Sequence, residues 1–182
     1  MNKAAFLDRD GVINVKAPEG QYVTRWEEVR FLPGVATAIS ELNKSGFRVI
    51  VISNQRCVAK GLVTSAEVEA LHRKILKELA DQGAVIDAVY FCPHDTEPKC
   101  DCRKPAPGMI LRAAREHQID LGASWMIGDS DADVAAGKNA GCKTVLLGRH
   151  ANPAGAPDLL AESLLDATKK IFEVEGLSQA KA

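Results

Sequence analysis

Short apolar runs rich in Val and Ile recur along this chain, and most of them close on polar residues. They are Ala4–Leu7, Val49–Ile52, Ala88–Phe91, Trp125–Ile127 and Thr144–Leu147. Continuous apolar runs of this length read as strands covered on both faces, the pattern of a parallel sheet between helices. Between them the apolar spacing changes to the helical period. Pro33–Ser45 opens with proline at a first-turn position and stops at Gly46. Thr64 or Ser65 caps a second helix, with Glu67 placed for a capping box, Val68, Leu71, Ile75, Leu76 and Leu79 on one stripe, and Gly83 at the end. Pro107–His117 is a third helix, and Asp131–Asn139, rich in small residues, is a fourth. A last helix near Asp158–Val174 is expected on the surface, ahead of a frayed tail at Ser178–Ala182. Such alternation predicts an α/β fold with a doubly wound parallel sheet. The 182 residues suit a single domain over 1–182.

Charge and composition exclude several functions. A net charge of −1 argues against nucleic acid as a partner, since binding a phosphate backbone needs surplus Lys and Arg. No apolar run approaches the roughly 18–20 residues of a membrane span. The chain reaches Asp8, Arg9 and Asp10 too soon for a signal peptide, so a cytoplasmic protein is expected. Five cysteines, Cys57, Cys92, Cys100, Cys102 and Cys142, make a poor disulfide framework. Cys57 and Cys142 read as small buried residues.

In a doubly wound fold, ligands sit at the carboxyl ends of the strands. Those ends carry Asp8-Arg9-Asp10-Gly11, Ser53-Asn54-Gln55, Cys92-Pro93-His94 and Gly128-Asp129-Ser130-Asp131. Residues i and i+2 of an extended chain project to one side, so Asp8 and Asp10 repel unless a cation or proton lies between them. Asp129 completes a hard-oxygen set suited to Mg²⁺. Aspartates at strand ends also cap helices, but three on converging ends, with Gly11 to let the chain turn, favour a site.

The run Phe6-Leu7-Asp8-Arg9-Asp10-Gly11-Val12-Ile13-Asn14 resembles the signature of the haloacid dehalogenase superfamily of phosphatases. Ser53, Lys104 and Gly128-Asp129-Ser130-Asp131-Ala132-Asp133 follow in the expected order. The resemblance implies a Rossmann-like core. Asp8 is then the nucleophile that forms an aspartyl-phosphate. Asp10 is the general acid and later the general base. Asp8, Asp129 and the Asp10 backbone carbonyl hold Mg²⁺, while Ser53 and Lys104 hold the phosphoryl oxygens. Arg9 is expected to be structural and to point away from the aspartates. Asp133 is expected to support the site from behind, and Asp131 equally fits a first-turn residue. The same scaffold also hosts phosphotransferases and dehalogenases, but dehalogenation does not need Asp10. A binding module with a degenerate site is the alternative of another class; the intact set of Asp8, Asp10, Ser53, Lys104 and Asp129 argues against it.

Cys92, His94, Cys100 and Cys102 supply three thiolates and an imidazole, the donor set of a closed, structural Zn²⁺ site. It would brace a loop over 92–104 that delivers Arg103 and Lys104. This segment, through Arg103-Lys104-Pro105, is similar to two capless branches of the superfamily: heptose bisphosphate phosphatases and histidinol-phosphate phosphatases. The short spacing between His94 and Cys100 resembles the histidinol branch. Gly11–Asn14, Gly20–Val23, Ser53–Gln55 with Ala59–Gly61, and Pro105–Met109 resemble the heptose branch, which serves heptose nucleotide synthesis for cell-surface glycans. Arg56-Cys57 stands where heptose enzymes usually carry a small Ser-Gly-like pair. Lys16, Arg56, Lys60 and Arg103 outweigh Glu19 and Glu97, which favours a substrate with a second phosphate. Asn54, Gln55, Arg56 and Arg103 are the candidate substrate-binding residues, a sugar phosphate is the expected partner, and a monomer is expected. His72, His117 and His150 read as surface or packing residues.

Overall fold

A computed structural model describes residues 1–148 and 155–177. Six parallel strands form one sheet: β1 (Lys3–Leu7), β2 (Phe47–Asn54), β3 (Ala88–Cys92), β4 (Trp125–Gly128), β5 (Lys143–Leu147) and β6 (Leu159–Ala161). Their order is β3-β2-β1-β4-β5-β6. The five expected runs are the first five strands. The chain reverses direction of winding between β1 and β4, so the ends of β1, β2 and β4 lie side by side.

The helices are α1 (Val35–Lys44), α2 (Ser65–Asp81), α3 (Gly108–His117), α4 (Asp131–Ala140) and α5 (Leu164–Glu175). Alternate strand residues serve opposite faces. Ala5, Leu7, Val49, Val51, Trp125 and Ile127 pack with α1, α2 and α5, whereas Ala4, Phe6, Ile50, Ile52 and Met126 pack with α3 and α4. Thr64 caps α2 by accepting from the Glu67 N–H at 3.2 Å, and the Glu67 carboxylate accepts from the Thr64 N–H at 2.8 Å, the expected capping box.

Several boundaries differ from expectation. Pro33 and Gly34 precede α1, with Gly34 as its N-cap. Pro107 likewise stands as the N-cap of α3. The largest change lies in 158–174, read from sequence as a surface helix. Asp158 accepts hydrogen bonds from the N–H and hydroxyl of Thr144 at 2.7 and 2.8 Å, which docks the following residues beside β5 as β6. Only after Ser163, whose hydroxyl accepts from the Asp166 N–H, does α5 begin. It lies on the surface as expected, with Leu164, Ala167, Ile171 and Phe172 buried in the core and Lys169, Glu173 and Val174 exposed. The reading of 178–182 and of His150 lies outside the described residues.

Gly137 shows packing overruling propensity. Alanine is the better helix former by about 1 kcal/mol. Yet a Cβ at Gly137 would lie 2.6 Å from Met126 Cβ and 2.7 Å from Thr144 Cγ2, where α4 presses on β4 and β5. Overpacking costs about 1–3 kcal/mol. Gly137→Ala is therefore expected to lower stability, read as a reduced urea midpoint at unchanged m-value.

Candidate active site

The ends of β1, β2 and β4, the 16–23 loop and the loop carrying Lys104 line a cleft of about 340 Å³. Asp8 leaves β1, with its N–H bonded to the Ile127 carbonyl of β4 at 3.0 Å. Gly11 then turns the chain with φ +92°; a Cβ there would sit 2.4 Å from Asp129 Oδ2, so only glycine lets the two strand ends approach this closely.

Lys104 is buried, and its ammonium stands between two carboxylates. Nζ lies 2.8 Å from Asp8 Oδ1 and 2.6 Å from Asp133 Oδ1, and donates to the Ile52 carbonyl at 2.8 Å. Burial opposes its charge, but Asp8 and Asp133 overcome that and hold it above the ordinary lysine value. Burial pushes the Asp8 carboxyl up to about 7 despite Lys104, with Asp133 and Asp10 acting in the same direction as burial. Asp133 also accepts from the Ser130 N–H and hydroxyl at 3.1 and 2.6 Å. It thus supports the site from behind, as the sequence suggests.

Asp8, Asp129 and Asp133 offer carboxylate oxygens within 4.8 Å of one another. Both oxygens of Asp133 are engaged, Oδ1 with Lys104 and Oδ2 with Ser130, whereas Asp8 meets Lys104 through Oδ1 and Asp129 meets Lys16 through Oδ2. Asp129 Oδ1 is buried with no hydrogen-bond partner among the described residues, and Oδ2 meets the Lys16 ammonium at 2.8 Å. An orphaned buried oxygen beside a carboxyl that burial discourages from ionising fits a hard divalent cation.

Asp10 contradicts one expectation. Arg9 does not point away; its guanidinium folds back and forks the Asp10 carboxylate, with Nε 3.1 Å from Oδ1 and Nη2 2.7 Å from Oδ2. Asn14 Nδ2 donates to Oδ1 at 2.8 Å, and Gln55 Nε2 to Oδ2 at 3.2 Å. Asn14 was not singled out from sequence; its one signal is its place four residues beyond Asp10, past a glycine turn. Lys16 lines the cleft as the sequence suggests, and the fold adds its pairing with Asp129.

The β2 end departs further. Ser53 and Gln55 are both buried, and the Gln55 amide donates to Ser53 Oγ at 2.8 Å. Gln55 therefore braces Asp10 and Ser53 and presents nothing to the cleft. Arg56 pairs with Asp95 at 2.6 Å and is not among the cleft-lining residues. Lys60 turns to the Tyr22 ring, 5.2 Å from its centroid. Asn54 does line the cleft, but it also binds the Lys104 backbone twice: Nδ2 donates to the carbonyl and Oδ1 accepts from the N–H, both at 3.1 Å. Arg103 lines the cleft too, with Nη1 donating to the His94 carbonyl at 3.3 Å. Asp131 is an exposed first-turn residue. His117 meets the Tyr90 ring edge-on, as a packing residue.

Cys92, His94, Cys100 and Cys102 converge as the sequence suggests. Cys92–Cys100, Cys92–Cys102 and Cys100–Cys102 are separated by 3.6, 3.2 and 3.4 Å between sulfurs, and His94 Nδ1 lies 3.6 and 3.2 Å from Cys92 and Cys102. Those edges approach the roughly 3.5–3.8 Å spacing of ligands around tetrahedral Zn²⁺. Burial works against ionising Cys100, but hydrogen bonds from the Arg103 N–H, Cys102, Cys92 and His94 bring it down to about 7. Cys57 and Cys142 are buried apart from this cluster.

Comparison with known proteins places this geometry. A family model described as HAD-hydrolase-like matches residues 101–167. The chain is 49% identical over 145 residues to the D-glycero-beta-D-manno-heptose-1,7-bisphosphate 7-phosphatase of Rhodopseudomonas palustris, covering 76% of this chain and 79% of that one. It is 37% identical over 180 residues to the enzyme of the same name from Yersinia pestis, covering 92% and 94%. The crystal structure of D,D-heptose 1,7-bisphosphate phosphatase from B. bronchiseptica, complexed with magnesium and phosphate, superposes with a TM-score of 0.84 at 33% identity, covering 94% and 99%. With identity of this order across most of both chains, and one shared fold, the chain belongs to the heptose-1,7-bisphosphate 7-phosphatase family of HAD-like phosphatases.

Proposed function

We propose that this phosphatase removes the 7-phosphate of D-glycero-D-manno-heptose 1,7-bisphosphate, as a step in heptose nucleotide synthesis for cell-surface glycans. It acts as a cytoplasmic monomer on a small soluble substrate. The observation that carries the reading is Asp8 set against the buried Lys104, beside an Asp129 oxygen with no partner among the described residues, in a chain whose relatives bear this activity in their names. The names of the relatives favour a bisphosphate over histidinol phosphate, and Arg103 in the cleft lining offers a guanidinium to a second anion.

Asp8 attacks phosphorus and the phosphoryl group passes to its carboxylate. Asp10 gives a proton to the departing sugar oxygen, then takes one from the water that hydrolyses the aspartyl-phosphate. Lys104 offsets charge on the phosphoryl oxygens, and the Ser53 hydroxyl, which accepts from Gln55, keeps its own proton to donate to one of them. Asp8, Asp129 and the Asp10 carbonyl would hold Mg²⁺, which when bound neutralises phosphoryl charge as the relative's magnesium and phosphate complex suggests. The Cys₃His cluster would hold Zn²⁺ and fix the loop that carries Arg103 and Lys104.

Asp8→Asn is expected to abolish phosphate release, and Asp10→Asn to lower it by roughly 10²–10⁴-fold; near-normal turnover by Asp8→Asn would overturn the reading. Purified protein is expected to carry about one zinc per chain by elemental analysis. Fully stable, zinc-free protein would remove the zinc assignment. Mg²⁺ must displace a proton from Asp8 below about pH 7, the value to which burial raises that group. Its affinity by calorimetry should therefore rise with pH through this range, with proton release falling as Asp8 ionises in the free protein. Arg103→Ala is expected to lower kcat/KM for the bisphosphate roughly 10- to 150-fold, the loss of a charge-assisted contact worth about 1.5–3 kcal/mol, and to affect p-nitrophenyl phosphate less.

A further inference from the structure

Arg9 and His72 form a buried chain behind Asp10 that the proposed chemistry does not yet use. The Arg9 guanidinium is 1% exposed: Nε and Nη2 make the fork on Asp10, Nη2 also donates to the Val23 carbonyl at 3.1 Å, and Nη1, outside the fork, lies 3.3 Å from His72 Nε2. Guanidinium nitrogens only donate, so His72 Nε2 accepts and its proton rests on Nδ1. His72 sits on the inward face of α2, 5% exposed, with its ring edge-on to Phe91 at 5.6 Å. Burial, and then the neighbouring Arg9 charge, push it down to about 3, so it stays neutral and remains an acceptor. A leucine would fill this apolar position between α2 and Phe91 equally well, but would leave a guanidinium N–H buried and unpaired.

We infer that His72 is a positioning residue for Asp10, acting through Arg9. The fork fixes the plane of the Asp10 carboxylate, and His72 fixes the rotation of the fork. A general acid works only when its proton points at the departing oxygen, so a loosened carboxylate loses proton transfer before it loses substrate binding. This inference rests on the proposed role of Asp10.

The test separates leaving groups. A sugar alkoxide must be protonated as its bond to phosphorus breaks, whereas p-nitrophenolate leaves without a proton. The parameter is kcat/KM, which covers steps only as far as formation of the aspartyl-phosphate, so the later base role of Asp10 does not enter. His72→Leu is expected to lower kcat/KM for the heptose bisphosphate about 10-fold, the scale of one hydrogen bond to a charged group, with a much smaller loss on p-nitrophenyl phosphate. His72→Gln, which keeps an acceptor, should recover most of the loss. Arg9→Met should show the same discrimination more strongly, with Asp10→Asn as the reference. Equal losses on both substrates in His72→Leu, with Asp10→Asn still discriminating, would overturn the inference alone. If Asp10→Asn does not discriminate, the acid role of Asp10 falls and the inference with it. Should His72→Leu fail to fold, nitrogen-15 NMR of the unmutated protein decides: a neutral Nδ1–H ring from pH 5 to 8 supports the chain, and titration near the ordinary histidine value overturns it.

Discussion

The ammonium of Lys104, buried between Asp8 and Asp133, is the interaction on which the rest of the site depends. A charge this deep is tolerated only when paired, and removing one partner of a buried pair costs about 3–5 kcal/mol. The pairing therefore links three parts of the chain: the end of β1 through Asp8, the start of α4 through Asp133, and the loop after β3 through Lys104 itself. The Ile52 carbonyl adds β2. Burial, with Asp133 and Asp10 acting in the same direction, raises the Asp8 pKa, and an oxygen of Asp129 has no partner among the described residues. The site is thus short of positive charge at the place where a divalent cation and a phosphoryl group would bring opposite charges together.

Lys104 reaches that position on a segment with almost no means of folding by itself. Between Pro93 and Arg103 the chain has no Ala, Val, Leu, Ile, Met, Phe, Tyr or Trp. A stretch of this kind cannot bury enough apolar surface to offset the entropy of ordering it. Two other devices hold it. Asn54 binds both backbone groups of Lys104, and the Cys₃His cluster gathers both halves of the loop at one point. The cluster anchors to Cys92 at the end of β3, so the rigidity of the sheet extends to the loop and to the lysine and arginine it carries.

Much of this was legible in the sequence because it depends on short spacings. Asp8 and Asp10 flank one residue, Cys92 and His94 flank another, as do Cys100 and Cys102, and each pair is placed by local backbone geometry alone. The first five strands and the capped α2 were legible for the same reason, since period and capping are local signals. The edge strand β6 was not. Leu159–Ala161 is three residues long and has no pattern of its own; it is a strand because Asp158 bonds to Thr144 fourteen residues earlier and brings it against β5.

Side-chain direction at the site divides along the same line. The sequence by itself determined which groups gather at the strand ends, because a parallel sheet between helices leaves one edge for them, and it determined the donor types: carboxylates for a hard cation, thiolates and imidazole for a soft one. Only the tertiary structure decided what each neighbouring residue does there. Arg9 turns back on Asp10 because burial leaves its guanidinium no solvent and Asp10, Val23 and His72 supply the missing partners. Gln55 turns inward to Asp10 and Ser53, while Arg56, one residue on, turns out to Asp95. Neighbours in sequence part in this way because a buried polar group must find partners across the fold, and those partners come from segments whose distance along the chain carries no signal.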